Sequence, residues 1–363
     1  TCDVVVGGQH LKDVNEVHIS GEGVKVEIVN WYRPLTAGEY NNLRTKLREA
    51  GERLAGQAAL RAGGNLPTEA EIALAAGVSD VEMREMKVYR ERQRDPKRQP
   101  NEQLEEQVTL RLTVSMEAEL GKRELHLLTD TSISNPIWLH LNRWIEQRES
   151  EPNHLLPSEV ESRLPVVING QIMPGDVDRF RFRATKGMRL VIQVAARDVI
   201  PYQADAVPGW FQAVVRIMDE SGDEVSFADS FYYRQDPVLY FEVPRDGRYT
   251  IEIRDSLFRG REDFVYRMTI GEIPFVTSVF PLGARVDSEL SVQLRGWNLT
   301  QTEQNVRTMS RSQYRPIGWY SAIQGVHSVR FPLQINHWPE VFEQATNDDR
   351  LNAQEVSTRM TVN

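Results

Sequence analysis

The sequence predicts a mostly β protein made of tandem antiparallel β-sandwich domains, the first of which carries a helical insertion. Three observations lead to this fold class. Short segments with period-2 hydrophobic alternation recur between residues 164 and 271, separated by polar turns. Helical spacing of apolar residues replaces that alternation at about residues 36–96. Motifs from the first half of the chain recur near its end at constant offsets, which is typical of repeated modules.

The stretch 164–271 contains the clearest strands. Phe180 and Phe182 alternate with arginines, so one face of their strand is expected in a core. Turn signals such as Asp246-Gly247 separate further alternating segments at 190–194, 215–217, 239–243, 249–253 and 264–270. Regularly spaced short strands of this kind predict one antiparallel sandwich. We expect these residues inside it: Phe180, Phe182, Leu190, Ile192, Tyr249 and Ile251.

The helical stretch interrupts a β region. Apolar strands at 1–33 are punctuated by glycines, and strands return at 108–114 and 125–127. Between them, pairs with capping-box spacing predict the starts of three helices. These pairs are Thr36 with Glu39, Thr68 with Glu71, and Ser79 with Glu82. The helical insert is expected to pack as a self-contained hairpin, with a protein-binding arm as the alternative.

Two repeats organise the domains. A motif beginning at Val4 recurs at Val292, an offset of 288, and one beginning at Asn142 recurs at Asn336, an offset of 194. The predicted domains are a β module at 1–141 with its insert at 36–96, a linker at 142–163, a sandwich at 164–272, a second β module at 273–335, and a linker with the start of a further sandwich at 336–363. Since Asn363 aligns with mid-strand Asn169, we expect this chain to be a window on a longer tandem protein.

Composition and motifs exclude several function classes. The 363 residues carry a net charge of −9 and a pI near 5.5, which disfavours nucleic acid as a partner. No apolar run approaches the ~18 residues of a membrane span. The single cysteine, Cys2, excludes an internal disulfide and a cysteine-based zinc site. The sequence contains no H-E-x-x-H, G-x-S-x-G or phosphate-loop motif, so we predict a protein that is not an enzyme.

The central region, about residues 150–272, resembles the bacterial pre-peptidase C-terminal domain. The matching features are residues 175–182, the hairpin at 218–225, the run 243–249 and the closing strand 263–270. The flanking β modules resemble the immunoglobulin-like IPT/TIG family, through the Pro281-Leu282-Gly283 turn and the strand after it. Together these resemblances imply an extracellular or periplasmic binding or spacer region of a large secreted protein. The alternative is a substrate-targeting module of a secreted hydrolase. The implied partner is an extracellular polysaccharide or protein.

A candidate cation site lies at the start of this region. Glu149, Glu151 and Asn153 place oxygen side chains at alternate positions of the linker, and Asp176 and Asp178 precede the first aromatic strand. Calcium prefers six to eight oxygen ligands in flexible geometry, which such a cluster suits. The alternative is a solvated acidic linker beside a polar turn.

The family resemblance supports calcium at this site. Collagen-binding members of the family hold calcium with an E-x-E-x-N-D linker and an aspartate before the first aromatic strand. Glu149, Glu151, Asn153 and Asp178 match these positions, whereas His154 replaces the last linker aspartate. In the second copy of the linker Ala345 replaces the middle glutamate.

A second candidate is an aromatic surface for sugar or peptide. Six rings fall in or near the two longest connections of the sandwich: Tyr202, Trp210, Phe211, Phe231, Tyr232 and Tyr233. Rings on loops can stack on a ligand. The favoured interpretation is that they cover the open end of the sandwich core.

Overall fold

The computed structural model describes residues 1–59, 66–94, 102–160, 163–200, 211–308, 318–319, 331–332, 334–344 and 347–363. Strands make up 43% of the described residues and helices 15%, which confirms the predicted mostly β class. The strands form several sheets, and most neighbouring strands within them are antiparallel.

The described part of the amino-terminal module contains six strands: β1 (Cys2–Gly8), β2 (Glu16–Ile19), β3 (Val24–Tyr32), β4 (Glu106–Val114), β5 (Gly121–Leu128) and β6 (Ile137–Leu141). They form two three-stranded sheets, with the orders β1-β4-β3 and β2-β5-β6. Alternate residues of β4 and β5, including Leu110 and Leu125, are buried in one core. The period-2 pattern therefore places the apolar side chains between two sheets.

Among the described residues between β3 and β4 are three helices and a short 3-10 turn at Glu102–Leu104. The helices are α1 (Ala37–Ala59), α2 (Glu69–Ala76) and α3 (Asp80–Arg94). The capping boxes form as predicted. At α2 the Thr68 hydroxyl accepts the N–H of Glu71, while the Glu71 carboxylate accepts the N–H of Thr68. Gly77 ends α2 in the left-handed conformation, at φ 65°. The insert has a core cluster of its own, formed by Leu43, Val78 and Met86.

In the central sandwich the described residues form ten strands: β7 (Ile145–Arg148), β8 (Ser158–Glu159), β9 (Val166–Gln171), β10 (Asp178–Ala184), β11 (Arg189–Ala195), β12 (Ala213–Met218), β13 (Glu224–Ala228), β14 (Val238–Glu242), β15 (Gly247–Asp255) and β16 (Val265–Gly271). Its sheets have the orders β13-β12-β15-β10-β8 and β14-β11-β16-β9-β7. The six side chains predicted inside are each at most 3% exposed and belong to one core cluster, so the predicted strand faces are confirmed.

Residues 142–163, predicted as a linker, contribute to both sheets. β7 runs parallel to β9, with Glu146 opposite Val167. β8 runs parallel to β10, with Glu159 opposite Arg181. The sequence did not indicate these strands because edge strands expose most of their side chains and need no apolar alternation.

The carboxyl-terminal part has β17 (Phe275–Phe280), β18 (Gly283–Arg285), β19 (Glu289–Trp297), β20 (Glu303–Arg307), β21 (Gly318–Trp319), β22 (Phe331–Pro332), β23 (Gln334–Asn336), β24 (Glu340–Val341) and β25 (Thr361–Val362). One sheet has the order β17-β19-β20, and β18 pairs with β23. Val276, Val279, Val292 and Leu294 form a small core. Phe275 packs against the central sandwich instead, together with Trp297.

Segments 142–169 and 336–363 share a hydrogen-bond pattern. The N–H groups of Trp144 and Trp338 each donate to the asparagine side chain two residues earlier, at 2.7 and 2.8 Å. The N–H groups of Glu149 and Glu343 each donate to the carbonyl of the asparagine that ends the segment, at 3.0 and 2.8 Å. The offset of 194 between the two sequence motifs is therefore also an offset between equivalent backbone contacts.

Candidate functional site

The predicted ligand residues lie where the segment after β7 meets the start of β10. Asp178 is the first residue of β10 and is fully buried. Asp176 lies in the preceding turn and is 5% exposed. Glu149 directly follows β7, and its Oε1 accepts the N–H of Gln171 at 2.7 Å. The sheet pairing of β7 with β9 thus holds Glu149 beside the strand that carries Gln171.

Two groups of candidate cation ligands share Glu151. In the first group, ligand oxygens of Glu149, Glu151 and Asp178 lie within 4.8 Å of one another. In the second group, ligand atoms of Glu151, His154 and Asp176 meet the same limit. The fold therefore brings together all four predicted carboxylates. It also adds His154, which departs from the pattern of the family that the sequence resembles.

Asn153 is fully buried and connects this cluster to β10. Its Oδ1 accepts the N–H of Arg179 at 3.3 Å, and its own N–H donates to Glu151 Oε2 at 3.0 Å. Asn153 thus positions the segment against the strand. A carbonyl-type oxygen has two lone pairs, so Asn153 Oδ1 retains capacity for a further partner.

Asp178 has one satisfied and one unsatisfied oxygen. The Tyr266 hydroxyl donates to Asp178 Oδ2 at 2.6 Å and also lies 3.4 Å from Glu149 Oε2. Asp178 Oδ1 is buried without a hydrogen-bond partner among the described residues. Leaving a buried polar atom unpaired costs about 1–3 kcal/mol, and more for a charged group. A proton or a cation is needed to complete this site.

The pKa values of the groups at this site also indicate that it needs a proton or a cation. Burial, and then the negative charge of Glu149, together raise the pKa of Asp178 to about 10. Burial also raises the pKa of Glu149. Burial and then the charges of Asp178 and Glu149 raise the pKa of Tyr266 well above its usual value, so the phenol stays protonated and donates. In the absence of a cation, the acidic pair keeps a proton at neutral pH, and a bound divalent cation would displace it.

Gly170 provides the space in which these groups meet. A Cβ at this position would lie 2.3 Å from the Tyr266 hydroxyl oxygen and 2.5 Å from Glu149 Oε2. Neither Gly170 nor Tyr266 carried a functional signal in the sequence. A glycine within a strand and a tyrosine at an inward strand position both have common structural explanations.

The donor set fits calcium at the first group of ligands. Glu149, Glu151 and Asp178 offer carboxylate oxygens from a loop and a strand end, the donor type that Ca²⁺ prefers. The second group contains an imidazole nitrogen from His154, a donor better suited to transition metals. Of the two groups, the first therefore has the donor set better suited to calcium.

The residues of the candidate aromatic surface that the structure describes lie in different environments. Phe211 lies in the sandwich core, stacked on Phe264 with ring centroids 5.3 Å apart. Phe231 packs against Phe275 of the second small module. Tyr232 and Tyr233 are exposed. Tyr202 and Trp210 lie outside the described residues. Phe211 thus closes the core as favoured above, while Phe231 joins two modules.

Comparisons with known proteins find solved structures that resemble part of this chain. No family model and no curated protein matches the chain. The pre-peptidase C-terminal domain of a Bacillus anthracis collagenase is 12% identical with a TM-score of 0.22, covering 36% of this chain and 99% of that chain. PliG, a periplasmic inhibitor of g-type lysozyme from Aeromonas hydrophila, is 10% identical with a TM-score of 0.23, covering 35% and 97%. A mutant of Escherichia coli PliG is 16% identical with a TM-score of 0.22, covering 32% and 96%.

Within the described ranges, none of the helices combines the length and apolar character required to cross a membrane.

Proposed function

We propose that this chain is a non-catalytic, extracellular or periplasmic region of tandem β modules, in which calcium stiffens the connection between the first small module and the central sandwich. It acts as a spacer or binding region of a larger secreted protein. The order of the sequence motifs supports this setting, since the strands that resemble a pre-peptidase C-terminal domain lie between two glycine-punctuated β modules.

The unsatisfied oxygen of Asp178 carries the calcium proposal. It is buried beside Glu149 and Glu151, so up to three negative charges share one partly enclosed space. A divalent cation would satisfy that oxygen and offset the repulsion between the carboxylates. Gly170 supports the same proposal, because any larger residue would close the space beside Glu149.

Calcium at this position would join three parts of the chain. Glu149 and Glu151 belong to the segment that enters from the first module, and Asp178 begins β10. Tyr266 of β16 connects to the same cluster through its hydroxyl. A common cation would therefore restrain the entering segment against both sheets, because β10 and β16 belong to different sheets.

The surroundings of the carboxylates favour a structural role over catalysis. A catalytic carboxylate has to reach a bound substrate, whereas Asp178 is fully buried and its Oδ2 is taken by Tyr266. The acidic pair is thus poised to hold a cation within the fold.

Calorimetric titration of the chelator-treated protein with Ca²⁺ tests this proposal. We expect binding with a Kd on the order of 10⁻⁴–10⁻³ M, the range of extracellular calcium modules. Magnesium should bind more weakly, because it demands near-octahedral geometry and gives up its waters reluctantly.

Two substitutions at equivalent repeat positions provide the comparison. Glu149→Gln should weaken calcium binding at least tenfold, because it removes a charged ligand. Glu343→Gln changes the matching position of the second copy, where Ala345 stands in place of Glu151, and should leave the affinity within twofold. Equal calcium binding by the wild-type protein and Glu149→Gln would rule out this site.

A further inference from the structure

The two outer faces of the central sandwich differ in chemistry. On the sheet containing β11, Val191 is fully buried in a cluster with Phe275 of the second module, with Trp144 and Trp297 packed against it. The opposite sheet presents six arginines, here called the arginine face: Arg179, Arg181 and Arg183 on β10, Arg216 on β12, and Arg248 and Arg254 on β15. Those of β10 alternate with the buried Phe180 and Phe182 and therefore point outward.

Three of these arginines, Arg183, Arg248 and Arg254, form no ion pair within the described residues, whereas Arg181 pairs with Glu159 at 3.6 Å. Arg179 and Arg216 both pair with the buried Glu252, at 2.8 and 2.7 Å. Arg183 and Arg248 lie directly opposite each other on β10 and β15. Neither forms an ion pair within the part of the chain that the structure describes. Like charges at directly opposed strand positions repel, which an anion placed between them would relieve.

A cavity of about 280 Å³ adjoins this pair. Its lining includes Arg183, Arg248 and the carboxylates of Glu220 and Asp246. Both carboxylates are engaged by the backbone: Glu220 accepts the N–H of Arg248 at 3.1 Å, and Asp246 accepts the N–H of Lys186 at 2.7 Å. These two acids hold turns in place, while the guanidinium groups of the two arginines keep free donors for a ligand.

The same face carries an exposed aromatic ring. Phe227 lies opposite Arg216 on the edge strand β13 and is 48% exposed. An aromatic ring beside guanidinium groups offers a stacking surface next to anion-binding donors. A folded protein partner would need a larger apolar centre than Phe227 and its exposed neighbour Val225 provide.

We propose that the arginine face binds an acidic polysaccharide. Arg183 and Arg248 would hold carboxylate or sulfate groups through paired N–H donors, and Phe227 would support a sugar ring. On β10 the charges of Arg179 and Arg181 are balanced by Glu252 and Glu159, so the positive charge available to the polymer comes from Arg183 and from Arg248 directly opposite it. Because the whole chain carries a net charge of −9, attraction of a polyanion depends on the two arginines that have no acidic partner beside the cavity, Arg183 and Arg248.

This inference does not depend on the cation site. Arg183 lies five positions beyond Asp178 on β10, about 17 Å along the strand. It extends the proposed role from spacing to capture of a charged glycan, which is the substrate-targeting alternative.

Binding of the full chain to three immobilised polymers tests the proposal: dextran sulfate, polygalacturonate and unmodified dextran. At low salt we expect binding to at least one of the two charged polymers and none to dextran. The preferred polymer distinguishes sulfate from carboxylate recognition. Affinity should fall steeply as salt rises, because exposed ionic contacts are screened.

Matched double variants distinguish the effect of losing the arginine face from the effect of lowering the net charge of the protein. Arg183→Gln with Arg248→Gln should weaken binding at least tenfold. Arg189→Gln with Arg44→Gln removes the same charge from exposed positions on the other sheet and on α1, and should change binding less than twofold. Both variants should keep the wild-type Tm, since all four side chains are exposed.

Three outcomes would overturn the proposal: equal weakening by the two double variants, equal binding to unmodified dextran, or equally tight binding to poly-glutamate, which would indicate an acidic peptide instead. Repeating the assay in chelator and with Asp178→Asn keeps the two proposals apart. Glycan binding that persists under both conditions supports the arginine face even where calcium binding fails.

Discussion

Between the central sandwich and the second small module, Phe231, Phe275 and Trp297 form an aromatic cluster with ring centroids 5.3–5.9 Å apart. Where the segment from the first module enters the sandwich, Glu149 and Asp178 meet instead, and one buried oxygen has no partner among the described residues. The aromatic junction is complete as a set of apolar contacts. The acidic one needs a proton or a cation.

This difference predicts two kinds of response. Apolar burial depends little on salt or pH, so the aromatic junction should hold under any ionic conditions. The stability of the carboxylate cluster changes with proton and calcium concentration, because both bind the same oxygens. The stability of the aromatic junction is therefore expected to stay constant, whereas that of the acidic junction should change with the pH and calcium concentration of the solution.

Truncating the aromatic junction should have the largest effect. Phe275 is fully buried, so Phe275→Ala should lower the free energy of unfolding by roughly 3–5 kcal/mol, as large-to-small core changes do. The loss, measured by urea denaturation, should be the same in calcium and in chelator. Phe280→Ala on the same strand is the control: this ring is 45% exposed and should cost under about 1 kcal/mol. If the loss caused by Phe275→Ala depended on calcium, the two junctions would be energetically coupled and not independent.

The second-largest expected effect is the pH dependence of the stability of the metal-free protein. The pKa of Asp178 is raised from about 3.9 in the unfolded chain to about 10 in the fold. Its contribution to stability is therefore complete below about pH 4 and is lost as pH rises toward 10. The slope is at most ~1.4 kcal/mol per pH unit.

Thermal melts in chelator at pH 6, 7 and 8 measure this slope, with Asp178→Asn as the control. The amide does not titrate, so the variant should lose less stability than the wild-type protein over the same range. Parallel curves for the two proteins would mean that Asp178 ionises freely in the fold.

Much of the fold could be predicted because local patterns and tertiary packing agree. The alternation around Phe180 and the capping box at Thr68 each depend on neighbours in sequence. The offset of 288 also joins His10 to Asn298, and both residues have positive φ, at 58° and 54°. The edge strands β7 and β8 could not be predicted, since their pairing depends on backbone groups and leaves no apolar pattern.

The candidate site was predictable in its acids but not in its surroundings. Alternate acidic residues near a strand start indicate oxygen ligands, so all four carboxylates could be named. Tyr266 and Gly170 reach the same place from β16 and β9, strands that are distant in sequence. Only the three-dimensional pairing of those strands brings the phenol and the open space to Asp178.

Calcium itself should have a smaller effect than either of the preceding changes. At millimolar Ca²⁺, a Kd of about 0.1 mM adds roughly 1.4 kcal/mol of stability by mass action. Asp178→Asn should remove this increment and should raise the stability in chelator at neutral pH, because the amide resembles the protonated acid but takes up no proton on folding. Melting curves of both proteins with and without calcium give the comparison. An equal calcium increment in the variant would place the cation elsewhere.

The smallest expected effect concerns the helical insert, which contacts the sandwich near the carboxylates. Arg92 of α3 lies 3.2 Å from Glu262, whose carbonyl accepts the side-chain amide of Gln171 at 2.5 Å. The N–H of Gln171 donates in turn to Glu149. Replacing residues 36–96 by a short Gly/Ser loop should keep the β sheets, because the insert has its own core and loop-closure entropy changes by only about 0.6 kcal/mol per doubling of length.

The shortened protein also tests whether the insert supports the cation site. Glu149 keeps its place through the pairing of β7 with β9, so calcium affinity should stay within threefold of the wild-type value. Arg92→Gln in the full chain is the milder control and should change the affinity even less. Loss of the β signal in circular dichroism would show that the helices belong to the module core. Intact sheets with a tenfold weaker calcium affinity would instead make the chain of contacts from Arg92 to Glu149 part of the site.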